Sequence, residues 1–75
     1  MKITIENTSK IVHLDDVPAR IWEGKTDSGI PVICYITRIA VPEGENVNHD
    51  EFRRELMECK APSAEVEAIP LKLII

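Results

Sequence analysis

The chain has 75 residues, the length of one small domain, which leaves no room for a second hydrophobic core. Nine Lys and Arg residues stand against thirteen Asp and Glu residues, so the formal net charge is -4, whereas a phosphate-binding surface is basic. Hydrophobic residues make up 44% and charged residues 29%, as in an average folded domain. We therefore predict a single domain over residues 1–75 and expect no direct binding to nucleic acid.

Three features of the sequence bear on location. The longest apolar-leaning stretch, residues 30–41, contains Arg38 and is shorter than the roughly twenty apolar residues of a membrane helix. The first residues alternate instead of forming the apolar core of a secretory signal. Two cysteines, Cys34 and Cys59, are too few for the disulfide framework of a small secreted domain. These features predict a cytoplasmic protein with reduced cysteines and no membrane contact.

The first part of the chain favours strands, because it is rich in β-branched residues that pack well on a pleated surface. Residues 2–6 alternate with period two and predict one strand, and residues 10–14 predict a second. Between them, residues 7–9 (Asn-Thr-Ser) are of the type that forms turns. The simplest arrangement is a hairpin of these two strands with its turn at residues 7–9, and Asp15 and Asp16 end the second strand.

A second hairpin is predicted from residues 19–26 and 30–41. The connection, residues 27–29, ends in Gly29, which fits a three-residue loop whose last residue is left-handed. The second strand of this hairpin is apolar on both faces, which is typical of a central strand. We expect it to be covered by helix on one side and by the tail or a partner on the other. Pro31 should lie where no ladder hydrogen bond is needed.

The loop length fixes the register of this hairpin. Trp22 should lie opposite Cys34, and Ile21 should lie opposite Tyr35. Side chains then divide between two faces, one with Trp22, Val32, Cys34 and Ile36 and the other with Ile21, Ile33 and Tyr35.

A main helix is predicted over residues 48–60. Asn48 is a good N-cap, with Glu51 three residues later. Phe52, Leu56 and Cys59 form one apolar stripe that should dock on the sheet, and Arg54 should pair with Glu58 on the exposed side.

A second, single-turn helix is predicted over residues 63–68. Ser63 is its N-cap and Val66 should pack inward. An apolar tail, residues 69–75, should dock on its own domain or on a second copy, because so apolar a segment is costly in water. The predicted class is α+β: a three- or four-stranded antiparallel sheet within residues 2–42, packed by these two helices.

Candidate chemistry is sparse. Cys34 could act as a nucleophile only beside a base, for which His13 and His49 are the imidazole candidates, but a mid-strand cysteine is typically a small buried hydrophobe. These three residues and Cys59 are widely separated in sequence, unlike the paired spacing of zinc ligands. Asp15 and Asp16 point to opposite faces if they lie in a strand, unlike a catalytic carboxylate pair. We predict no enzyme activity, no catalytic or metal site and no cofactor.

Charge is distributed unevenly along the chain. Residues 1–42 carry five basic and five acidic side chains, and residues 43–75 carry four basic and eight acidic ones. An acidic helical face could steer a basic partner, or it could serve only to keep the protein soluble. The candidate interaction residues are Glu43, Glu45, Asp50, Glu51, Glu55, Glu58, Glu65 and Glu67.

Five short runs resemble small phage- and prophage-encoded proteins of Gram-negative bacteria, a family with no established activity and therefore no functional residues to carry over. The runs are residues 2–7 (KITIEN), 17–24 (VPARIWEG), 28–30 (SGI), 61–63 (APS) and 69–70 (IP). The resemblance implies an accessory protein in the bacterial host cell that binds a host or phage macromolecule. The leading hypothesis is a non-enzymatic protein-binding module that uses its acidic helical face or its sheet edge. The second hypothesis is an assembly protein, such as a homodimer, that self-associates through its apolar tail and sheet edge. The third is a small enzyme or metal protein that uses Cys34 and a histidine.

Overall fold

The computed structural model describes residues 1–68, which form a three-stranded antiparallel sheet and two short helices. The strand order is β1-β2-β3. The α+β class is therefore confirmed, and the predicted tail at 69–75 lies outside the described residues. The elements are β1 (Ile3–Leu14), β2 (Val17–Thr26), β3 (Pro31–Ile36), α1 (His49–Met57) and α2 (Ala64–Glu67).

The first two predicted strands are a single strand, β1, so the predicted hairpin with a turn at residues 7–9 is wrong. The register against β2 shifts between Asn7 and Ile11, which leaves a bulge in β1 instead of a reversal. Thr8 is fully buried in this bulge, where its Oγ1 donates to the carbonyl oxygen of Ile21 at 2.7 Å and accepts from the N–H of Lys10 at 3.2 Å. The Thr8 hydroxyl thus satisfies two backbone groups at the bulge.

The chain reverses instead at Asp15 and Asp16, between β1 and β2. Both residues have positive φ, 49° and 70°, and Leu14 pairs with Val17 across the turn. Two positive φ angles are the signature of the type I′ hairpin, in which Asp is one of the favoured residues. This turn places β1 beside β2.

The β2–β3 hairpin has the predicted register: Trp22 pairs with Cys34 and Ile21 with Tyr35. Gly29 has a φ of 89°, the left-handed conformation expected at the end of the loop. The prediction that β3, the second strand of this hairpin, is central is wrong for residues 1–68, where β3 lies at an edge and β2 lies between β1 and β3.

β3 also ends at Ile36, well short of the predicted boundary at residue 41. Ile36 pairs with Arg20, and the next hydrogen-bonded position of the ladder would fall on Pro18, which has no N–H to donate. The ladder therefore stops where its partner strand can no longer supply a donor.

The core lies on one face of the sheet, under α2. Val12, Ala19, Ile21 and Val66 are buried there, and Leu14 packs against them. The N-cap Ser63 accepts from the N–H of Val66, as predicted for this short helix. Val66 therefore holds α2 against β1 and β2.

The other helix, α1, lies on the opposite face, beside Trp22. Asn48 caps it by accepting from the N–H of Glu51 at 2.9 Å, as predicted. Phe52 and Leu56 are half-buried against this face, and the Nδ2 group of Asn7 donates to the carbonyl oxygen of Leu56 at 2.9 Å. Residues 1–68 bury no residue of α1 completely.

The helix ends at Met57 and not at residue 60 as predicted, so Cys59 lies in the connection to α2 and is not part of the helical stripe. Lys60 cannot continue the helix because its backbone is bonded to β1 on both sides. Its N–H donates to the carbonyl oxygen of Asn7 at 3.3 Å, and its carbonyl oxygen accepts from the N–H of Ser9 at 2.9 Å. At this point the chain passes around the edge of β1 from one face of the sheet to the other.

No helix within residues 1–68 combines the length and apolar character needed to span a bilayer.

Candidate interaction surfaces

All eight predicted acidic residues are exposed, but they do not form a single helical face. Glu43 and Glu45 lie in the loop before α1, four others lie on α1 or at its C-cap, and Glu65 and Glu67 lie on α2. Because α1 and α2 lie on opposite faces of the sheet, the last two are separated from the others. The full set of eight cannot contact one flat partner surface.

Arginine partly neutralises the acidic side of α1. The guanidinium of Arg54 donates to Glu51 and, at 2.5 Å, to Oε1 of Glu58. The predicted pairing of Arg54 with Glu58 is confirmed. The hydrogen bonds that Arg54 donates to Glu51, followed by the charge of Glu58, raise the pKa of Arg54 above its usual value. Two of the predicted acidic residues therefore already have a cationic partner.

The outer edge of β3 is the most open surface of the sheet. Within residues 1–68, β3 pairs only with β2. The N–H of Thr26 donates to the carbonyl oxygen of Ile30 at 2.9 Å, which makes this a hydrogen-bonded pair. Because such pairs alternate in an antiparallel ladder, the N–H groups of Ile33 and Tyr35 point away from β2. Pro31, which has no N–H, has the same outward orientation, in agreement with the prediction for this residue.

The other edge of the sheet is partly closed. Lys60 forms a parallel bridge with Thr8 at the bulge of β1, so the connection between the helices blocks the middle of that edge. The two edges therefore differ: one carries a bulge and a crossing segment, and the other is a six-residue strand without a register shift.

Glu23 on the central strand accepts hydrogen bonds from the residues that precede α2. Its Oε2 accepts from the N–H of Ser63 at 3.1 Å and its Oε1 accepts from Nζ of Lys60 at 3.2 Å. The hydrogen bond from the Ser63 backbone and the Lys60 ammonium together outweigh partial burial, and they lower the pKa of Glu23 below its usual value of 4.5. Composition did not identify Glu23, because its partners are distant in sequence.

Two grooves flank Leu56 on the α1 face, and their charges are opposite. The first, of about 220 Å³, is lined by Trp22, Arg20 and Arg38 with apolar neighbours, and has no acidic residue in its lining among residues 1–68. The second, of about 430 Å³, also contains Trp22, but three carboxylates line it against one cation: Glu6, Glu55, Glu58 and Lys60. We call them the basic groove and the acidic groove.

The residues considered for catalysis are not brought together. His13 pairs with Pro18 and Cys34 with Trp22, which lie four positions apart on β2, about 13 Å along the strand. Cys34 and Cys59 are free and half-buried, and His49 is exposed at the start of α1. In the part of the chain that the structure describes, no three His, Cys, Asp or Glu residues are close enough to hold a metal ion.

Comparison with known proteins gives no family, since no family model, no curated protein and no solved structure matches this chain.

Proposed function

We propose that the chain is a non-enzymatic accessory protein of a phage or prophage that binds a protein partner in the bacterial cytoplasm by pairing with the outer edge of β3. The sequence runs that resemble phage-encoded proteins support the biological setting. The open edge of β3 supports the mode of binding.

The observation that carries this proposal is that β3 lacks most of the devices that protect edge strands. Natural edges are blocked by charged side chains, bulges, prolines or covering segments. β3 has the sequence Pro-Val-Ile-Cys-Tyr-Ile, with Pro31 at its start and no charged residue. Ile33 and Tyr35 are each 39% exposed beside the outward N–H groups. An incoming strand would gain backbone hydrogen bonds and apolar contacts on the same edge.

A second copy of the chain is the alternative occupant of this edge. Two β3 strands related by a twofold axis could pair as antiparallel neighbours and form a six-stranded sheet. The small core, with four buried hydrophobic residues within 1–68, would gain from such an interface. We favour the partner protein because the resemblance points to a host or phage macromolecule as the ligand.

The test uses two variants at one position. Tyr35→Pro removes the outward N–H as well as the side chain, whereas Tyr35→Ala removes only the side chain. A partner is first captured from bacterial lysate with and without nuclease, and its affinity for the purified full chain is then measured by calorimetry. We expect Tyr35→Ala to retain binding and Tyr35→Pro to lose it, with both variants keeping the circular dichroism of the parent.

The outcomes separate the alternatives. Equal affinity of the two Tyr35 variants would refute strand pairing. Loss of binding on charge reversal at Glu55 and Glu58 instead would assign recognition to the acidic side of α1. A dimer in light scattering that Tyr35→Pro dissociates would favour self-association.

A further inference from the structure

We propose that the basic groove is a second binding site, which takes an acidic peptide segment of a partner protein with one large apolar side chain at its centre. The groove lies on the face of the sheet beside α1, and its lining includes Ile36 at the end of β3 but not Ile33 or Tyr35, which carry the open edge.

The shape and lining of the groove suit a single apolar side chain. Trp22 and Leu56 belong to its lining together with Ile11 and Ile36. Its volume of about 220 Å³ is below the 300–1,000 Å³ typical of sites that enclose a whole small molecule. One aromatic or large aliphatic side chain, inserted as an anchor, matches this volume better.

The positive charges of the groove favour acidic residues next to that apolar side chain in the bound peptide. Arg20 uses one N–H to donate to the carbonyl oxygen of Thr8 at 2.9 Å, which fixes the guanidinium and leaves four of its five donors. Arg38 is exposed and also lines the groove. Within residues 1–68, neither arginine forms a salt bridge, although the chain as a whole is acidic. Guanidinium groups bind carboxylates with two parallel hydrogen bonds, so a peptide carboxylate complements both arginines.

A nucleic-acid strand fits these charges less well than a short acidic peptide. The acidic groove begins on the other side of Leu56, where Glu6 and Glu55 line it and form no salt bridge within residues 1–68. A long polyanion that followed the helix would be repelled there, whereas a short acidic segment need not extend past Leu56.

Trp22 gives a direct assay, because it is the only tryptophan of the chain and lines the groove. The probe is the blocked peptide acetyl-Asp-Glu-Phe-Glu-Asp-amide, which has no tryptophan. Two control peptides are used. In one, Asn and Gln replace the four Asp and Glu residues, and in the other, Ala replaces Phe. Titration of the full chain at low salt should change Trp22 emission in a saturable way with a dissociation constant below about 1 mM. Each control peptide should bind at least about fivefold more weakly.

Protein variants assign the site. Arg38→Gln, at an exposed position without a salt bridge within residues 1–68, should weaken binding of the acidic peptide about fivefold, and Arg20→Gln should do the same or more. Arg53→Gln on α1 is the control, because Arg53 is exposed and outside the lining of the groove, and it should leave the affinity within about twofold.

Three results would overturn the proposal. The first is that Trp22 emission shows no saturable change up to about 5 mM of the acidic peptide, a concentration well above the expected dissociation constant. The second is equal binding of the acidic peptide and its amide counterpart, or of the parent and Arg38→Gln. The third is tighter binding of an oligothymidylate than of the acidic peptide, which would assign the groove to single-stranded nucleic acid.

Discussion

Glu23 on the central strand accepts the backbone N–H of Ser63, the residue that caps α2. The bond joins residues forty positions apart at 3.1 Å, and Lys60 donates to the same carboxylate at 3.2 Å. The N–H of Ser63 and the ammonium of Lys60 are thus satisfied by one side chain, at the place where the chain has just passed around the edge of β1. Glu23 therefore sets where α2 begins, and Val66 then reaches the core.

Glu23 should make stability depend on pH in the acid range. The folded state lowers its pKa, so the stabilisation is complete above the ordinary value of 4.5 and is lost as the pH falls through the lower, folded pKa. Glu23→Gln should lower the free energy of unfolding by about 1 kcal/mol at pH 7 and flatten the acid dependence. Urea unfolding at several pH values checks this. Glu45→Gln, in an exposed loop, is the control, and an unchanged slope in Glu23→Gln would contradict the assignment.

Thr8→Val should destabilise the fold by about 2 kcal/mol. The substitution keeps the shape but removes the hydroxyl, which leaves the carbonyl oxygen of Ile21 and the N–H of Lys10 without their partner in the bulge. Thr4→Val is the matched control, because Thr4 is exposed on the same strand and should tolerate the change. Chemical unfolding of the two variants gives the comparison, and equal stabilities would show that the hydroxyl of Thr8 does not support the bulge.

Gly24→Ala should be among the most damaging single-methyl changes in this chain. A Cβ at Gly24 would lie 1.8 Å from the carbonyl oxygen of Thr4 and 2.7 Å from Cα of Ile5, both backbone atoms of β1. The strands must separate to admit it, at a cost of about 3 kcal/mol. Gly44→Ala, where the nearest atom is a side-chain methyl of Val47 at 3.5 Å, should be mild by comparison. A thermal melt ranks the two variants, and similar melting temperatures would contradict the close approach of β1 and β2.

Helix α1 should open more readily than the sheet. It contacts the sheet through the half-buried side chains Phe52 and Leu56, whereas Ile21 on β2 is fully buried. The free energy of local opening is lower for an element with fewer buried apolar contacts. Amide hydrogen exchange should therefore be faster in α1 than in β2. Equal protection in the two elements would mean that α1 unfolds only with the whole domain.

Local signals predicted the parts of the fold that short-range chemistry determines. The Gly29 loop set the register of Trp22 against Cys34, and the caps Asn48 and Ser63 marked the helix starts. Each of these signals depends on residues within a few positions of one another. The hairpin and the helix starts were therefore predictable from the sequence.

The errors came from contacts between distant parts of the chain. The bulge at Thr8 exists because Ile21, Leu56 and Lys60 supply hydrogen-bond partners for residues 7–9. Without knowledge of these distant partners, the Asn-Thr-Ser sequence of residues 7–9 predicts a turn. The end of β3 depends on Pro18 of another strand. Likewise, the acidic residues looked like one face because the sequence does not show that the chain crosses the sheet at Lys60.

The most direct test of the central claim is residue-specific amide exchange in β3, measured by NMR on the full chain at low concentration. An open edge predicts rapid exchange for the outward N–H groups of Ile33 and Tyr35 and strong protection for Cys34, whose N–H faces β2. Addition of the captured partner should then protect Ile33 and Tyr35. Strong protection of all three amides in the monomeric chain alone would show that the edge is already covered, and would contradict binding through β3.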